Sequence, residues 1–268
     1  MRAAVLGAHR APAPKAWVRP HSNARVRRAS APTRVPFACL YLHIPPMKPQ
    51  SRRSRKLPRA ASRAREHQLA EDGYELVAGV DEAGCGALAG PVVAAAVILR
   101  PSLRIAHLTD SKQLLATDRE ALCQAVQEQA TAWAMALSSP QLIDSINIRR
   151  ARLRAMKLAV EALSPAADFA LIDGNAAPQL QIPCQAIISG DSRCRIIAAA
   201  SILAKVMRDA MMVELDAVYP EYGFAGHKGY GTPQHLAAIA RHGPCSAHRT
   251  TFAPILASLQ QTLDLADE

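Results

Sequence analysis

Four acidic side chains follow the ends of three predicted strands in this 268-residue chain. They are Asp81, Glu82, Asp173 and Asp191. In an α/β sheet the ends of neighbouring strands converge on one edge, where ligands bind. We therefore expect these four carboxylates to lie close together. Because ionised carboxylates repel one another at short range, such a cluster requires either protonation or a cation that neutralises it.

The chemistry of these side chains favours a divalent cation. Oxygen ligands without histidine or cysteine select Mg²⁺ or Mn²⁺ over zinc, and two such ions about 3.5–4 Å apart can promote hydrolysis of a phosphodiester. An alternative is that each acid forms a turn or caps a helix, as Asp173 before Gly174 and Asp191 before Ser192 could do. The joint placement of the four acids favours the metal site. The chain also carries no serine-hydrolase, cysteine-hydrolase or phosphate-loop signature.

The elements that would position these acids alternate along the chain. Short apolar strands are predicted at residues 76–80, 91–99, 131–137, 169–172 and 186–188. Helices are predicted from a capping box at Thr117–Glu120 onward, and at residues 149–163, 195–218, 233–241 and 255–265. Strands that come first and then alternate with helices predict an α/β fold with a helical C-terminal part.

Charge divides the chain into two parts. Residues 1–65 contain 16 Lys and Arg and no acid, whereas residues 66–268 contain the other 16 against all 22 acids, a net charge of −6. Residues 1–65 are also rich in proline and lack a hydrophobic period, so we predict a disordered basic extension followed by a globular catalytic domain at 66–268. The extension could bind nucleic acid phosphates. Alternatively, it is a translated upstream region without a role, with Met47 as the true start.

Composition excludes several classes of protein. Half of the residues are hydrophobic and a fifth are charged, which excludes a wholly disordered or fibrous chain. No run approaches the roughly 18 to 20 apolar residues of a membrane-spanning helix. The six cysteines form no CxxC pair, which is typical of free thiols in a reducing compartment. We expect a cytoplasmic monomer without membrane association, although the acid-free, arginine-rich start resembles a transit peptide in composition.

Several sequence blocks, taken together, resemble the ribonuclease HII family. The segment GVDEAGCGALAGPV at residues 79–92 is similar to the N-terminal signature of that family, and Asp110–Leu114 is similar to its DSKxL segment. Later blocks follow in the family's order at residues 172–175, 190–192, 198–206, 222–224, 227–232 and 242–244. The resemblance covers about residues 75 to 256.

This resemblance implies a ribonuclease H-like mixed sheet flanked by helices. It implies metal-dependent endonucleolytic cleavage of the RNA strand of RNA–DNA hybrids and of single ribonucleotides embedded in duplex DNA. The products would carry 3′-hydroxyl and 5′-phosphate ends. The same resemblance implies that the four acids are catalytic metal ligands for Mg²⁺ or Mn²⁺.

Substrate contacts are implied on both sides of this cluster. By resemblance, Gly84, Cys85 and Gly86 read the ribose 2′-hydroxyl largely through backbone groups, and Tyr230 packs on the sugar at the RNA–DNA junction. Lys112 is a predicted phosphate contact within the DSKxL-like segment. Three further basic residues near the blocks could also contact phosphate: Lys205, Arg208 and Lys228.

Two positions depart from the family pattern. Cys85 stands where the family has Arg, and Ser189 stands where it usually has Lys. The loss of two cations predicts weaker substrate binding with the chemistry intact, unless Arg193 or Arg195 takes over the missing charge. One competing hypothesis is a hybrid-binding protein with weak catalysis, and another is a nucleic-acid binder that acts through residues 1–65. The complete set of four acids favours the enzyme.

Overall fold

Five strands form one mixed sheet in the computed structural model, which describes residues 60–264. The strands are β1 (Val77–Ala83), β2 (Val92–Ile98), β3 (Ala132–Ser138), β4 (Phe169–Asp173) and β5 (Cys184–Ile187). Their order across the sheet is β3-β2-β1-β4-β5. The pairs β1–β2 and β2–β3 are antiparallel, while β1–β4 and β4–β5 are parallel. The mixed sheet confirms the predicted fold class.

Helices flank this sheet and form the C-terminal part. They are α1 (Ala64–Glu71), α2 (Ala116–Gln129), α3 (Pro140–Ile146), α4 (Ile148–Glu161), α5 (Gly190–Arg193), α6 (Arg195–Val218), α7 (Phe224–His227), α8 (Pro233–His242) and α9 (Ala253–Asp264). Short 3₁₀ turns lie at Ser111–Gln113 and Pro220–Tyr222. Within residues 60–264, no helix is both long and apolar enough to cross a membrane.

The alternation of side chains along the strands divides the core into two layers. Val80 of β1 packs in the layer that contains Met156 of α4. Leu171 of β4 packs in the opposite layer, with residues of α6. By the same alternation Asp81 lies on the α6 side of the sheet and Glu82 on the α4 side. The two neighbouring acids therefore meet different helices.

Helix α6 approaches the backbone of β1 at Gly79. A Cβ atom at Gly79 would lie 2.7 Å from the amide nitrogen of Ile197, and closer still to the carbonyl group of Ile196. Backbone atoms on both sides leave no flexible group that could move away. Only glycine fits between the strand and the helix at this position.

Gly79→Ala is therefore expected to lower the free energy of unfolding by about 3 kcal/mol, because the helix must move off the sheet. Urea denaturation measures this change. Gly226→Ala is the matched control, since Gly226 is exposed in α7 and an added Cβ would meet no atom within 4 Å. The control should change the free energy of unfolding by less than about 1 kcal/mol. Equal stability of Gly79→Ala and wild type would contradict the packing described.

A buried ion pair connects helix α1 to the first residue of α6. Arg195 Nη2 lies 2.8 Å from Glu66 Oε2, and the other oxygen of Glu66 accepts a hydrogen bond from the Ile196 amide at 2.9 Å. The domain boundary predicted at residue 65 falls in the first turn of α1, and it stays a prediction. Residues 1–59 of the predicted extension lie outside the described residues.

One local prediction is wrong. The capping box assigned to Thr117–Glu120 does not form, because α2 begins at Ala116 and its N-cap residue, Leu115, makes no side-chain capping bond. Thr117 thus lies inside the first turn. The helix is stabilised by packing of Cys123 and Val126, which are both buried.

Candidate active site

Two parallel strands bring Asp81 and Asp173 to the same edge of the sheet. The register pairs Val80 of β1 with Ile172 of β4, so each acid follows a paired residue. Asp191 reaches this edge through α5. Asp173 Oδ1 accepts hydrogen bonds from the amide of Gly190 at 2.6 Å and from that of Asp191 at 3.4 Å. The structure therefore brings the predicted acids together.

Asp81 is the most deeply placed acid, with 4% of its surface exposed. Burial raises the pKa of its carboxyl well above the ordinary value, and the nearby charges of Glu82 and Asp173 raise it further. A hydrogen bond with Ser201 of α6 opposes this rise. Ser201 is itself linked to Ser111 by a 2.9 Å hydrogen bond between the hydroxyl groups. Within residues 60–264, the Asp81 carboxylate forms no ion pair, although Lys112 interacts with it electrostatically.

Glu82 faces α4 and meets a cation there. Its Oε1 atom lies 3.5 Å from Arg152 Nη1 and accepts a hydrogen bond from the Cys85 thiol at 3.3 Å. Burial raises the pKa of Glu82, while Arg152 and the thiol lower it. The second oxygen, Oε2, is buried and has no hydrogen-bond partner in the described part of the chain. One carboxylate oxygen thus remains available for a ligand.

Asp191 lies beside the DSKxL-like segment. Lys112 Nζ is 3.4 Å from Asp191 Oδ2 and 4.0 Å from Asp110 Oδ1. Burial raises the pKa of Asp191, Asp110 and Asp173 add to the rise, and Lys112 opposes it. Burial also disfavours the charge of Lys112, but Asp191 and the other acids outweigh it and raise the pKa of the lysine. Lys112 is therefore held as a cation at the rim of the carboxylate cluster, with 76% of its side chain exposed.

The β1–β2 loop, residues 84–91, begins at the predicted substrate-reading turn. Gly84 has a φ of +96°, and an added Cβ would lie 2.8 Å from Arg208 Cζ and closer still to its Nε. Gly86 is exposed with open space around it. Cys85 lies between them with its thiol directed to Glu82. Burial raises the pKa of this thiol, so the side chain is neutral.

Tyr230 lies across from this loop, with 37% of its surface exposed. Two cations make cation–π contacts with its ring: Lys205 Nζ lies 5.8 Å and Arg208 Cζ 5.3 Å from the ring centroid. The Tyr230 carbonyl interacts with His235 Nδ1 at 3.0 Å. An exposed ring on a fixed backbone is suited to packing against a sugar.

Some basic residues near the site are buried or paired with protein groups, and others remain accessible to a bound nucleic acid. Arg208 is fully buried, so the prediction that it contacts phosphate is wrong. Arg195 is committed to Glu66 and cannot replace the charge missing at Cys85. Arg193 is exposed and donates to the carbonyl of Ile188 at 3.3 Å, which leaves most of its guanidinium accessible.

Two residues of this site were missed in the sequence. Asp110 was noticed only as part of a motif, although it adds a fifth acid beside Lys112. Arg152 lies on α4 within the predicted helix at residues 149–163, and its guanidinium points to Glu82. A signal for Asp110 was its place in the DSKxL-like block. Arg152 had none, because its contact depends on how α4 packs on the sheet.

The acids fit a divalent cation by their chemistry. All are oxygen donors, burial raises the pKa of three of them, and Glu82 Oε2 is buried without a hydrogen-bond partner in the described part of the chain. In the conformation described for residues 60–264, no three His, Cys, Asp or Glu side chains are already arranged to hold a metal ion. Lys112 and Arg152 instead lie against two of the acids.

The mixed sheet in the order β3-β2-β1-β4-β5, with carboxylates clustered at one edge, is the architecture of the ribonuclease H-like class. The family model described as ribonuclease HII matches residues 78–255. Ribonuclease HII of Bordetella pertussis is 54% identical over 182 residues, which are 68% of this chain and 90% of the relative. The chain belongs to the ribonuclease HII family, which confirms the resemblance, and it is an enzyme of the ribonuclease H class.

Solved structures support the fold. The crystal structure of ribonuclease H2 from Pyrococcus horikoshii OT3 has a TM-score of 0.61 at 24% identity, covering 69% of this chain and 97% of that one. The crystal structure of Bst-RNase HIII in complex with Mn²⁺ has a TM-score of 0.56 at 21% identity, covering 73% and 71%. Both share the ribonuclease H-like architecture.

Proposed function

We propose that this protein is a divalent-metal-dependent endoribonuclease. Its substrates are the RNA strand of RNA–DNA hybrids and single ribonucleotides embedded in duplex DNA, and its products carry 3′-hydroxyl and 5′-phosphate ends. The observation that carries the proposal is the convergence of Asp81, Glu82, Asp173 and Asp191 at one edge of the sheet, where the acids outnumber the two cations that lie against them. Membership in the ribonuclease HII family supports the substrate class.

The four acids would hold Mg²⁺ or Mn²⁺. Bound there, the metal would supply activation of water and stabilisation of charge on the leaving oxygen. The Mn²⁺ complex of Bst-RNase HIII supports this choice of metal. Asp173 is kept in place by the Gly190 and Asp191 amides, so its orientation is fixed before any ligand arrives.

The remaining residues act on the nucleic acid strand. Lys112 lies at the rim of the cluster, where its ammonium can contact a phosphate next to the cleaved bond. The Gly84–Gly86 turn lets the backbone approach the ribose closely, and only the 2′-hydroxyl distinguishes a ribonucleotide in a DNA strand. Tyr230 offers an exposed ring to the sugar on the other side.

The decisive experiment is cleavage of a DNA duplex that carries one ribonucleotide, with Mg²⁺, with Mn²⁺ and with EDTA. We expect one cut, 3′-hydroxyl and 5′-phosphate ends, and no reaction in EDTA. An all-RNA strand paired with DNA should also be cleaved, whereas RNA–RNA duplex and all-DNA duplex should not. Cleavage that persists in EDTA, or that occurs equally in all-DNA duplex, would overturn the proposal.

Lys112→Met is expected to raise KM about fivefold and to leave kcat within about twofold, because one phosphate contact is lost. The slope of log KM against log salt concentration should become shallower by about 0.9. The assay is run at pH 8, so that Asp191 stays ionised without its lysine partner. Lys157→Met is the control, because Lys157 pairs with Glu161 on the surface of α4 at 3.6 Å. A salt slope equal to that of wild type would contradict the phosphate contact.

We place the protein in the cytoplasm as a monomer, with residues 66–268 as the catalytic domain. The five cysteines in the described part of the chain are free thiols, which supports a reducing compartment. Light scattering tests the oligomeric state. A variant that lacks residues 1–46 tests the basic extension: an unchanged salt dependence of binding would show that the extension does not touch nucleic acid.

A further inference from the structure

Two guanidinium groups lie completely buried behind the β1–β2 loop. Arg208 comes from the middle of α6 and Arg249 from the segment between α8 and α9, and neither has exposed surface. Arginine is rarely buried without a carboxylate partner. In residues 60–264, neither of these two forms an ion pair. The pair is therefore a concentration of positive charge inside the protein.

The nearest acids are engaged elsewhere. Asp209 binds Lys205 at 2.7 Å. Asp144 accepts hydrogen bonds from the amides of Thr250 and Thr251 at 2.8 and 3.1 Å. Two buried cations without a partner cost free energy unless their N–H groups find acceptors.

Those acceptors are all carbonyl groups of the β1–β2 loop. Arg249 donates to Gly84 O at 2.7 Å, to Cys85 O at 2.9 Å and to Gly90 O at 2.9 Å. Arg208 donates to Ala89 O at 3.2 Å and to Pro91 O at 3.1 Å. Five carbonyls of an eight-residue loop thus point inward to two side chains. The two buried arginines therefore fix the conformation of the β1–β2 loop through hydrogen bonds on its protein-facing side.

Inward carbonyls turn the following amides outward. In a trans peptide the C=O and N–H groups point in opposite directions. Because Gly84 O and Cys85 O face Arg249, the amides of Cys85 and Gly86 face away from it. Neither amide donates to any group in the described residues. Two N–H donors therefore stand free at the surface, beside the carboxylate cluster.

Arg208 also joins this loop to Tyr230. Its guanidinium supports the Tyr230 ring at 5.3 Å and fills the space that a side chain at position 84 would need. One of its nitrogens, Nη1, is buried and has no hydrogen-bond partner among residues 60–264. The same buried group thus fixes the spacing between the two surfaces predicted to hold the ribose.

We propose that Arg208 and Arg249 are positioning residues that make the protein selective for a ribonucleotide. They hold the β1–β2 loop carbonyls inward, so that the Cys85 and Gly86 amides can donate to the 2′-hydroxyl oxygen of a bound strand. This inference rests on the proposed function. It assigns the selectivity to side chains that never touch the substrate.

The test measures binding without catalysis. Fluorescence anisotropy in EDTA gives the Kd for a labelled duplex with one ribonucleotide and for the all-DNA duplex of the same sequence. Arg249→Lys keeps the charge but replaces the planar guanidinium, whose separate nitrogens reach three carbonyls, with a single ammonium nitrogen on a differently shaped side chain. It is expected to reduce the preference for the ribonucleotide about tenfold, the value of one lost hydrogen bond. Its Kd for all-DNA duplex should stay within about twofold, and Arg208→Lys should behave alike.

Arg195→Lys is the matched control, because Arg195 is also buried but pairs with Glu66, away from the loop. The Arg195→Lys variant should have a lower free energy of unfolding and the wild-type preference for the duplex with one ribonucleotide. A folded Arg249→Lys protein, shown by circular dichroism, that keeps the wild-type preference would overturn the inference. If that variant does not fold, ¹⁵N spectra of wild type decide: absence of a ribonucleotide-dependent shift of the Cys85 and Gly86 amides overturns it. A wild type without a binding preference overturns the inference alone, whereas the cleavage assay described above decides the proposed function.

Discussion

Asp81→Asn is expected to lower kcat at least about 1000-fold while the Kd for the duplex stays within about threefold. An amide neither carries the charge nor offers the two oxygens of a metal-binding carboxylate, and loss of several kcal/mol of transition-state stabilisation corresponds to this factor. Substrate binding should persist, because Lys112, the β1–β2 loop and Tyr230 are untouched. Single-turnover cleavage and anisotropy measure the two quantities separately. A variant with near-normal kcat at saturating Mg²⁺ would show that Asp81 is not a metal ligand.

The same substitution should stabilise the metal-free protein. The folded-state pKa of Asp81 is raised, so above its ordinary pKa the folded protein must either bury a charge or keep a proton that the unfolded chain releases, and both lower its stability. Stability should rise as pH falls from the raised folded pKa to the ordinary value of about 4. Asparagine has no charge to bury. In EDTA at pH 7.5, the Tm of Asp81→Asn should therefore exceed that of wild type by about 3 °C or more, and the difference should vanish near pH 4.

Asp144→Asn is the control, because it is expected to change the Tm in the opposite direction to Asp81→Asn. Burial works against the charge of Asp144, but hydrogen bonds from Thr251 and Thr250 lower its pKa below the ordinary value. Its carboxylate therefore stabilises the fold above the ordinary pKa, and that contribution is lost as pH falls through the lowered value. Asp144→Asn should decrease the Tm at pH 7.5, where Asp81→Asn increases it. Equal signs would contradict the assigned environments.

Gly84→Ala is expected to lower kcat/KM about 100-fold or more. The residue has a φ of +96°, and a methyl group there would overlap with the Arg208 guanidinium. Either the loop or Arg208 must move, and the loop carries the predicted contacts to the ribose while Arg208 holds the loop in place. The free energy of unfolding should also fall by about 2–3 kcal/mol, because the overlap lies in a packed region.

Gly86→Ala is the control for backbone strain and steric overlap, because it adds the same methyl group to the same turn without either effect. Gly86 has open space around it and its φ lies outside the left-handed region, so this variant should keep the stability of wild type within about 0.5 kcal/mol. Chemical denaturation of the two variants compares them directly. Gly84→Ala with wild-type kcat/KM would show that the loop conformation does not matter for turnover.

Much of the fold and of the site could be predicted from local sequence. Apolar runs that end in acids placed Asp81 and Asp173, and the alternating elements gave an α/β sheet. Contacts between distant residues could not be predicted in this way. Arg152 and Arg249 have an ordinary basic character in the sequence, and only packing shows that one meets Glu82 and the other the β1–β2 loop. The position of Arg208 near the family-like blocks suggests a phosphate contact, but the structure buries it, because five loop carbonyls accept hydrogen bonds from Arg208 and Arg249 in place of water.

The sheet order β3-β2-β1-β4-β5 places β1 beside β4, which is distant in the chain, so the active site is completed only when these two strands pair. Strands β1, β2 and β3 form a meander of sequential neighbours, whereas β4 must find β1 across an intervening stretch of chain that includes α4. Pairings between distant segments form slowly, since a long loop must close first. Asp81 and Glu82 belong to the early meander, while Asp173 and Asp191 arrive with the late strands. Cleavage activity should therefore return only with the slowest refolding phase, after most of the helical circular dichroism has recovered.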